Sequence, residues 1–325
     1  MHIPDGMLDT KTFTTLWGGA VVGLGYASYW VRKHFDEKKI VLMAVLGALI
    51  FALQMLNFPV AGGTSGHFLG GALAGILLGS WPAMIVMTAV LLIQALFFGD
   101  GGITALGANI INMAVIGVFV GPFIYHLVTR FGQSLTLKVV GAAVGSWLAV
   151  VLASVAVAIE LWISGSAQFF VALSAMTFWY AIIGVGEAII TAGVVVYIAR
   201  VRPEIIDEGQ QQTKKSLVSV SVVLAIVAAL AVGFSFLAST HPDGLEFVYF
   251  EMGVGSASVP SLSIMPAPLS HYLVAGISNN VLSGIAAGGI GVILTGLVLL
   301  AVVRILARRR NRQAPALNGP EPDGR

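Results

Sequence analysis

The chain contains no cysteine, and only 10% of its 325 residues are charged. The absence of thiols excludes disulfides, zinc–thiolate sites and thiol redox chemistry, so a bound metal must be held by nitrogen or oxygen. A soluble globular domain carries about 25% charged residues. The scarcity of charge, with 57% hydrophobic residues and a mean hydropathy of +0.93, predicts an all-α polytopic membrane protein in a lipid bilayer.

The sequence also lacks a phosphate-binding loop. No G-x-x-x-x-G-K-[ST] pattern occurs, and no glycine is followed by lysine, so the chain has no ATPase site of this type. Acidic residues are equally scarce within the apolar runs, where we expect only Glu187 to lie well inside. A stand-alone secondary transporter driven by the proton gradient would need several such residues, and we interpret Glu187 as a structural hydrogen-bonding residue.

Apolar runs that could cross a bilayer recur along most of the chain. Nine are expected, at 12–31, 40–56, 68–81, 82–98, 110–128, 139–159, 176–199, 216–238 and 279–303. The third is short and rich in glycine, which is typical of a broken or partly re-entrant helix that its neighbours shelter from lipid.

The lysines and arginines indicate the orientation of these runs. With nine crossings, all 17 basic residues except Lys11 fall on one side. Cytoplasmic loops are enriched in basic residues. We therefore expect a multi-pass protein of the plasma (inner) membrane, with the amino terminus outside and the carboxyl terminus in the cytoplasm.

A polar stretch divides the chain into two parts. Segment 201–215 contains Pro203 and three consecutive glutamines, so we interpret it as a cytoplasmic linker. It separates a membrane domain at 1–200 from a two-helix module at 216–305 with an outer loop. The tail 306–325 is basic and then rich in Pro, Asn and Gly, and we expect it to be disordered and to mark the cytoplasmic edge rather than bind nucleic acid.

The first two residues form a chelating group if the amino terminus is free. The α-amine of Met1 and the backbone amide of His2 can close a five-membered ring on a metal, and the amide and imidazole Nδ1 of His2 a six-membered ring. Cu(II) and Ni(II) prefer such a planar nitrogen set. We expect Met1 to remain, because His2 is too large for the aminopeptidase that trims initiator methionine and no signal-peptide pattern is present. These three nitrogens leave one position of a square-planar metal open.

His67 is a candidate for that fourth position. It ends the stretch Gly62-Gly63-Thr64-Ser65-Gly66-His67, which lies on the same expected side as Met1. Glycine permits close approach and positive φ, so this loop could fold over the amino-terminal segment. A lone histidine is more often interfacial, but a chelating terminus on the same face favours a ligand.

Three further residues are candidates for supporting the ligands without binding metal. Asp5 could orient a ligand nitrogen or cap a helix. Ser65 lies next to the expected ligand loop. The glycine-rich stretch 99–113 is expected to be an outer loop in which Asn109 helps to close the site, although its glycines fit close helix packing about equally well.

Four motifs occur in a fixed order: the opening M-H-I-P-D-G, the loop G-T-S-G-H at 63–67, the stretch 101–113, and Pro242-Asp243-Gly244-Leu245-Glu246. Together they resemble the CbiM/NikM family fused to a PDGLE-type CbiN/NikN component, over about residues 1–200 and 215–305. The resemblance implies a seven-helix bundle like that of an energy-coupling-factor (ECF) S-component, with a two-helix module behind it.

The resemblance also implies a non-catalytic transport subunit. Its cargo would be Ni(II) or Co(II), held by Met1, His2 and His67, and no prosthetic group is implied. Its partners would be a transmembrane coupling protein like CbiQ/NikQ and ABC ATPases like CbiO/NikO. The motif 242–246 would assist loading. Planar nitrogen ligation favours nickel, and the fused arrangement is more similar to the nickel branch.

Two other interpretations stay open at this point. An intramembrane enzyme using Ser65 or Ser80 would need an oxyanion scaffold and a carboxylate that orients the histidine, and the sequence indicates neither. A second metal site could form in the outer loop from four residues, although scattered surface groups explain them as well. These residues are His241, Asp243, Glu246 and His271.

Overall fold

The computed structural model describes residues 1–34, 36, 39–206, 214–255 and 266–313. The described chain is helical apart from loops and one hairpin of two short strands. The all-α expectation is therefore confirmed. The main elements are α1 (Thr10–His34), α2 (Ile40–Gln54), β1 (Phe58–Val60), β2 (Thr64–Gly66), α3 (Gly71–Leu78), α4 (Ser80–Phe98), α5 (Leu106–Thr129), α6 (Leu135–Ile163), α7 (Phe169–Val201), α8 (Lys214–Gly233) and α9 (Asn280–Gln313).

Of the nine expected apolar runs, five correspond to helices that are each long and apolar enough to cross a membrane. They are α4, α5, α6, α7 and α9. Helix α2 and the part of α8 at Val218–Gly233 are shorter apolar helices. Helix α1 has 25 residues but carries threonine, glycine and tyrosine at many positions. Helix α3 has only eight residues, about 12 Å at 1.5 Å per residue, because glycines with positive φ lie at both of its ends.

The short helix α3 lies at the centre of the first domain, and all of its residues are buried. A Cβ at Gly71 would lie 2.8 Å from the carbonyl oxygen of Met113, and one at Gly75 would lie 2.6 Å from that of Val118. Met113 and Val118 both belong to α5. The glycine stripe of α3 therefore packs against the backbone of α5, as small residues do between membrane helices.

Two expected boundaries differ from the structure. Helix α5 begins at Leu106, so Asn109 lies on a helix and not in an outer loop. Helix α9 extends to Gln313, so residues 306–313 are helical although we expected disorder there. The run L-A-R-R-R in this part of α9 consists of strong helix formers.

The helices α8 and α9 of the second module pack against α2. Gly47 on α2 faces Leu299, and Phe51 fits against Gly291 on α9. Parts of the sequence-based expectations lie outside the described residues. These are Lys38, the linker residues 207–213, the middle of the outer loop at 256–265, and the tail at 314–325.

Candidate metal centre

The amino-terminal segment is held inside the protein by paired hydrogen bonds. The amide of Ile3 donates to Asn109 Oδ1 at 2.8 Å, and Asn109 Nδ2 donates to the Ile3 carbonyl at 3.1 Å. The amide of Gly102 donates to the same carbonyl at 2.9 Å. Met1, Ile3 and Met7 are fully buried. Asn109 thus fixes the depth to which the first residues enter the bundle.

The loop before α5 lies directly on this segment. A Cβ at Gly102 would meet the backbone of Asp5 and, at 2.7 Å, the carbonyl carbon of Pro4. The Asp5 carboxylate accepts hydrogen bonds from the amide and hydroxyl of Thr104 at 2.7 and 2.5 Å. Asp5 therefore ties the terminal segment to this loop rather than contacting a ligand nitrogen.

His67 follows the β1–β2 hairpin and immediately precedes the turn into α3. The carboxylate of Glu187 on α7 accepts from the amides of Leu69 and Gly70 at 2.6 and 2.9 Å. The interpretation of Glu187 as a structural hydrogen-bonding residue agrees with this geometry. A second acidic residue, Glu160, is also buried within a membrane helix and accepts from Asn112 at 2.8 Å. Glu187 is therefore not the sole acidic side chain inside the spans.

The α-amine of Met1, His2 and His67 meet at one point. The amine lies 2.7 Å from His67 Nε2, and the two imidazole rings are stacked with their centroids 5.1 Å apart. His67 Nδ1 lies 3.2 Å from the Phe68 carbonyl, which accepts hydrogen bonds only. The proton is therefore assigned to Nδ1, and the lone pair of Nε2 points at the amine.

His2 has a polar partner at each ring nitrogen. Nε2 lies 3.2 Å from Gln94 Oε1, and Nδ1 lies 3.1 Å from Asp100 Oδ1. Both partners are hydrogen-bond acceptors, and each contacts one nitrogen of the ring. Nδ1 is the nitrogen that closes a six-membered ring with the His2 amide. Outer partners of this kind fix the orientation of metal-binding histidines.

The second module contributes a carboxylate to the same point. Asp243 Oδ2 lies 2.7 Å from the Met1 amine. The motif around Asp243 is anchored on the ligand hairpin, since the Ser65 amide and hydroxyl donate to the Pro242 and His241 carbonyls at 2.9 and 2.8 Å. Ser65 thus joins the two modules rather than contacting a ligand. Asp243 and Glu246 form a capping box at the start of a short helix, which fixes the Asp243 side chain.

Burial determines the protonation of both histidines. Removal from water lowers the pKa of His2, and burial together with the neighbouring amine and His2 lowers the pKa of His67 to about 3. Both rings are therefore neutral at pH 7, and a metal binds the neutral imidazole. Burial alone would raise the pKa of the Asp243 carboxyl, but the adjacent amine outweighs it and holds that pKa below its usual range.

A cavity of about 470 Å³ opens onto the chelating group. It is lined by His2 and His67 and by residues of the second module that include His241, Glu246 and His271. Within the described ranges, no group of three or more His, Asp or Glu side chains could hold a metal ion. The four residues considered for a second site therefore share one cavity with the chelating terminus, whose own donors include backbone nitrogen.

Three residues of this centre were missed by sequence reasoning. Asp100 could have been identified from the sequence, because it is an isolated acidic residue directly after an apolar run. Gln94, a polar residue within the same run, was a weaker candidate. Tyr272, whose hydroxyl donates to Asp100 Oδ2 at 2.6 Å, carried no signal, because its distance from residue 100 in the chain hides the contact.

Comparison with known proteins identifies the family of the chain. The family model for CbiM, described as a cobalt uptake substrate-specific transmembrane region, matches residues 2–205, and the PDGLE domain matches residues 215–308. A solved structure described as a truncated transition metal transporter aligns with a TM-score of 0.56 at 39% identity, covering 62% of this chain and 99% of its own.

Full-length relatives contain both parts. The fused nickel transport protein NikMN of Rhodobacter capsulatus is 30% identical over 350 residues, covering 95% of this chain and 99% of its own. A protein of Archaeoglobus fulgidus, also named as NikMN, is 43% identical over 242 residues, covering 72% and 79%. The expectation of a transport subunit rather than an enzyme is confirmed, since these relatives are named as transport proteins. The chain is an integral membrane protein that belongs to the CbiM family and carries a PDGLE domain at its carboxyl-terminal side.

Proposed function

We propose that the chain is the substrate-binding subunit of an ATP-driven ECF importer that takes up Ni(II) or Co(II), with nickel preferred. The observation that carries this proposal is the meeting of an amine and two imidazoles: the buried Met1 amine lies 2.7 Å from His67 Nε2, beside the stacked ring of His2. Amine, amide and two imidazoles make a four-nitrogen set.

The backbone amide of His2 is the fourth donor. The next amide, that of Ile3, donates to Asn109, whereas among the described residues no acceptor is recorded for the His2 amide. A deprotonated amide adds negative charge and a strong-field donor, and a planar nitrogen set suits Ni(II) better than the tetrahedral or octahedral preferences of Co(II). This supports nickel as the preferred cargo.

Energy for transport comes from separate subunits in this proposal. The sequence has no phosphate-binding loop, and a site with three nitrogens from one short segment holds its ion firmly. Binding tighter than micromolar corresponds to more than about 8 kcal/mol. Release to the cytoplasm therefore needs work from ABC ATPases, transmitted by a transmembrane coupling protein. The chelating group faces outside, in keeping with the distribution of basic residues.

The test combines metal binding with uptake. Purified full-length chain in nanodiscs should bind one equivalent of Ni(II), with weaker binding of Co(II), and should develop the visible absorption of square-planar nickel. Cells that express the chain with a coupling protein and ATPases of this transporter class should accumulate radioactive nickel. Cells with the chain alone should not.

The same measurements on a truncated chain test the domain division at 201–215. A chain ending at residue 208 keeps Met1, His2 and His67 and should still bind nickel, at a lower affinity because the contacts of the second module with the site are lost. Uptake with the partners should fall sharply, because the second module lines the cavity that admits the metal. Accumulation by the full chain alone, abolished by collapsing the proton gradient, would overturn the proposal in favour of a secondary transporter.

A further inference from the structure

The hydroxyl group of Tyr272 closes a ring of contacts around the His2 imidazole. It donates to Asp100 Oδ2 at 2.6 Å and lies 3.4 Å from Gln94 Nε2. The other oxygen of Asp100 lies 3.1 Å from His2 Nδ1, and Gln94 Oε1 lies 3.2 Å from His2 Nε2. Both nitrogens of His2 are thus reached by groups that meet at one phenolic oxygen of the second module.

The ring of Tyr272 is held firmly in place. Its centroid lies 4.8 Å from that of Phe98 and 6.1 Å from that of Phe51. The Leu269 amide, just before this turn, donates to the Phe97 carbonyl at 2.8 Å. His271 and Tyr272 have φ of 56° and 57°, a conformation that costs free energy in non-glycine residues and that clusters at functional sites.

We propose that Tyr272 is a positioning residue through which the second module fixes the orientation of the His2 imidazole. This inference rests on the proposed function, since it gives the second module a direct part in building the metal site. Because the Tyr272 proton is donated to Asp100, its oxygen can only accept from Gln94, which must then direct Nε2–H₂ toward Tyr272 and Oε1 toward His2.

The two groups held by the Tyr272 hydroxyl contact the His2 ring at both of its nitrogens. Asp100 Oδ1 lies 3.1 Å from Nδ1 and Gln94 Oε1 lies 3.2 Å from Nε2, so together they fix the direction in which the ring faces. Without the hydroxyl, both Asp100 Oδ2 and Gln94 Nε2 lose the partner that holds them in place. Outer partners that fix a ligand in this way change metal affinity about 10–100-fold when they are removed.

The test is Tyr272→Phe in the full-length chain, which keeps the aromatic packing and removes only the hydroxyl. We expect nickel affinity to fall about 10-fold or more, measured by competition with a chelator of known affinity, and the visible absorption of bound nickel to shift. Tyr26→Phe, on an exposed tyrosine of α1, is the matched control and should change neither. Thermal unfolding of the metal-free variants confirms that both are folded.

Asp100→Asn provides the second arm of the experiment, because Asp100 lies at the cavity and its replacement leaves the aromatic packing of Tyr272 in place. If Tyr272 acts through Asp100, the two substitutions should be non-additive, with Tyr272→Phe having a smaller effect in the Asp100→Asn chain. Unchanged affinity and spectrum in Tyr272→Phe, or full additivity, would overturn the inference. Absence of nickel binding by the unsubstituted chain would instead overturn the proposed function.

Discussion

The α-amine of Met1 lies 2.7 Å from the carboxylate of Asp243, so the first residue of the chain is paired with a residue of the second module. Neither side chain of the pair is freely exposed, with side-chain accessibilities of 0% and 15%. The amine is also the group that the chelate requires. The PDGLE motif is thus in direct contact with the candidate metal centre, although the family resemblance implied only that it assists loading.

A free amino terminus should be essential for binding. A short Gly/Ser extension before Met1 would remove the charged amine from its position beside His67 and would add chain where the terminus is buried. We expect loss of nickel binding in membrane-inserted protein, measured by equilibrium dialysis. The same extension placed after Arg325 is the control and should bind normally. Equal affinity of the two proteins would exclude the proposed ligand set.

His2→Ala and His67→Ala should each abolish high-affinity binding, because each removes a donor of the planar set. Loss of a ligand should exceed the 10–100-fold effect typical of an outer partner. His241→Ala and His271→Ala should reduce affinity much less, since these residues line the cavity without reaching the amine. Isothermal titration with Ni(II) measures all four. A loss in either cavity variant equal to that in His67→Ala would require a metal ligand in the second module.

Asp243→Asn should slow the loading of nickel. The substitution keeps the shape and capping ability of the side chain but removes a negative charge from a cavity that also contains Asp100 and Glu246. Clefts of one charge sign raise cation on-rates by at least about 10-fold. We expect a slower association rate in stopped-flow measurements and a weaker dependence on salt.

The matched control for Asp243→Asn is Glu251→Gln, on an exposed acid of the same outer loop that does not line the cavity. It should leave the association rate unchanged. If both variants bound nickel as fast as the unsubstituted chain, the prediction that Asp243 attracts the metal electrostatically would be wrong.

Gly102→Ala should displace the amino-terminal segment. The new methyl group would meet the backbone of Pro4 and Asp5, so the segment must shift from the position that Asn109 fixes. We expect about 1–3 kcal/mol lower stability and weaker nickel binding. Gly18→Ala on α1, where nothing lies within 4 Å of the added methyl, should change neither. Thermal unfolding and nickel titration measure both variants. If Gly102→Ala bound nickel as tightly as Gly18→Ala, the role of Gly102 in placing the segment would be excluded.

The sequence by itself determined the class of protein and the chelating terminus. Composition requires burial in lipid, and the rings formed by Met1 and His2 depend only on bonds between neighbouring residues. Local chemistry of this kind needs no knowledge of the fold. The resemblance carried by four motifs predicted the family, which the matches at 2–205 and 215–308 confirm.

The tertiary structure decided which groups surround that terminus. Gln94 contacts His2 across 92 positions of sequence, Asp243 contacts Met1 across 242, and Tyr272 contacts Asp100 across 172. No periodicity or spacing encodes such contacts. They arise from the burial of the amino-terminal segment in the first domain, from the packing of α8 and α9 against α2, and from the contact of the outer loop with the β1–β2 hairpin. The glycine content of run 68–81 indicated a broken helix, and the structure decided where it breaks, since residues with positive φ at Gly70 and Gly79 bound α3.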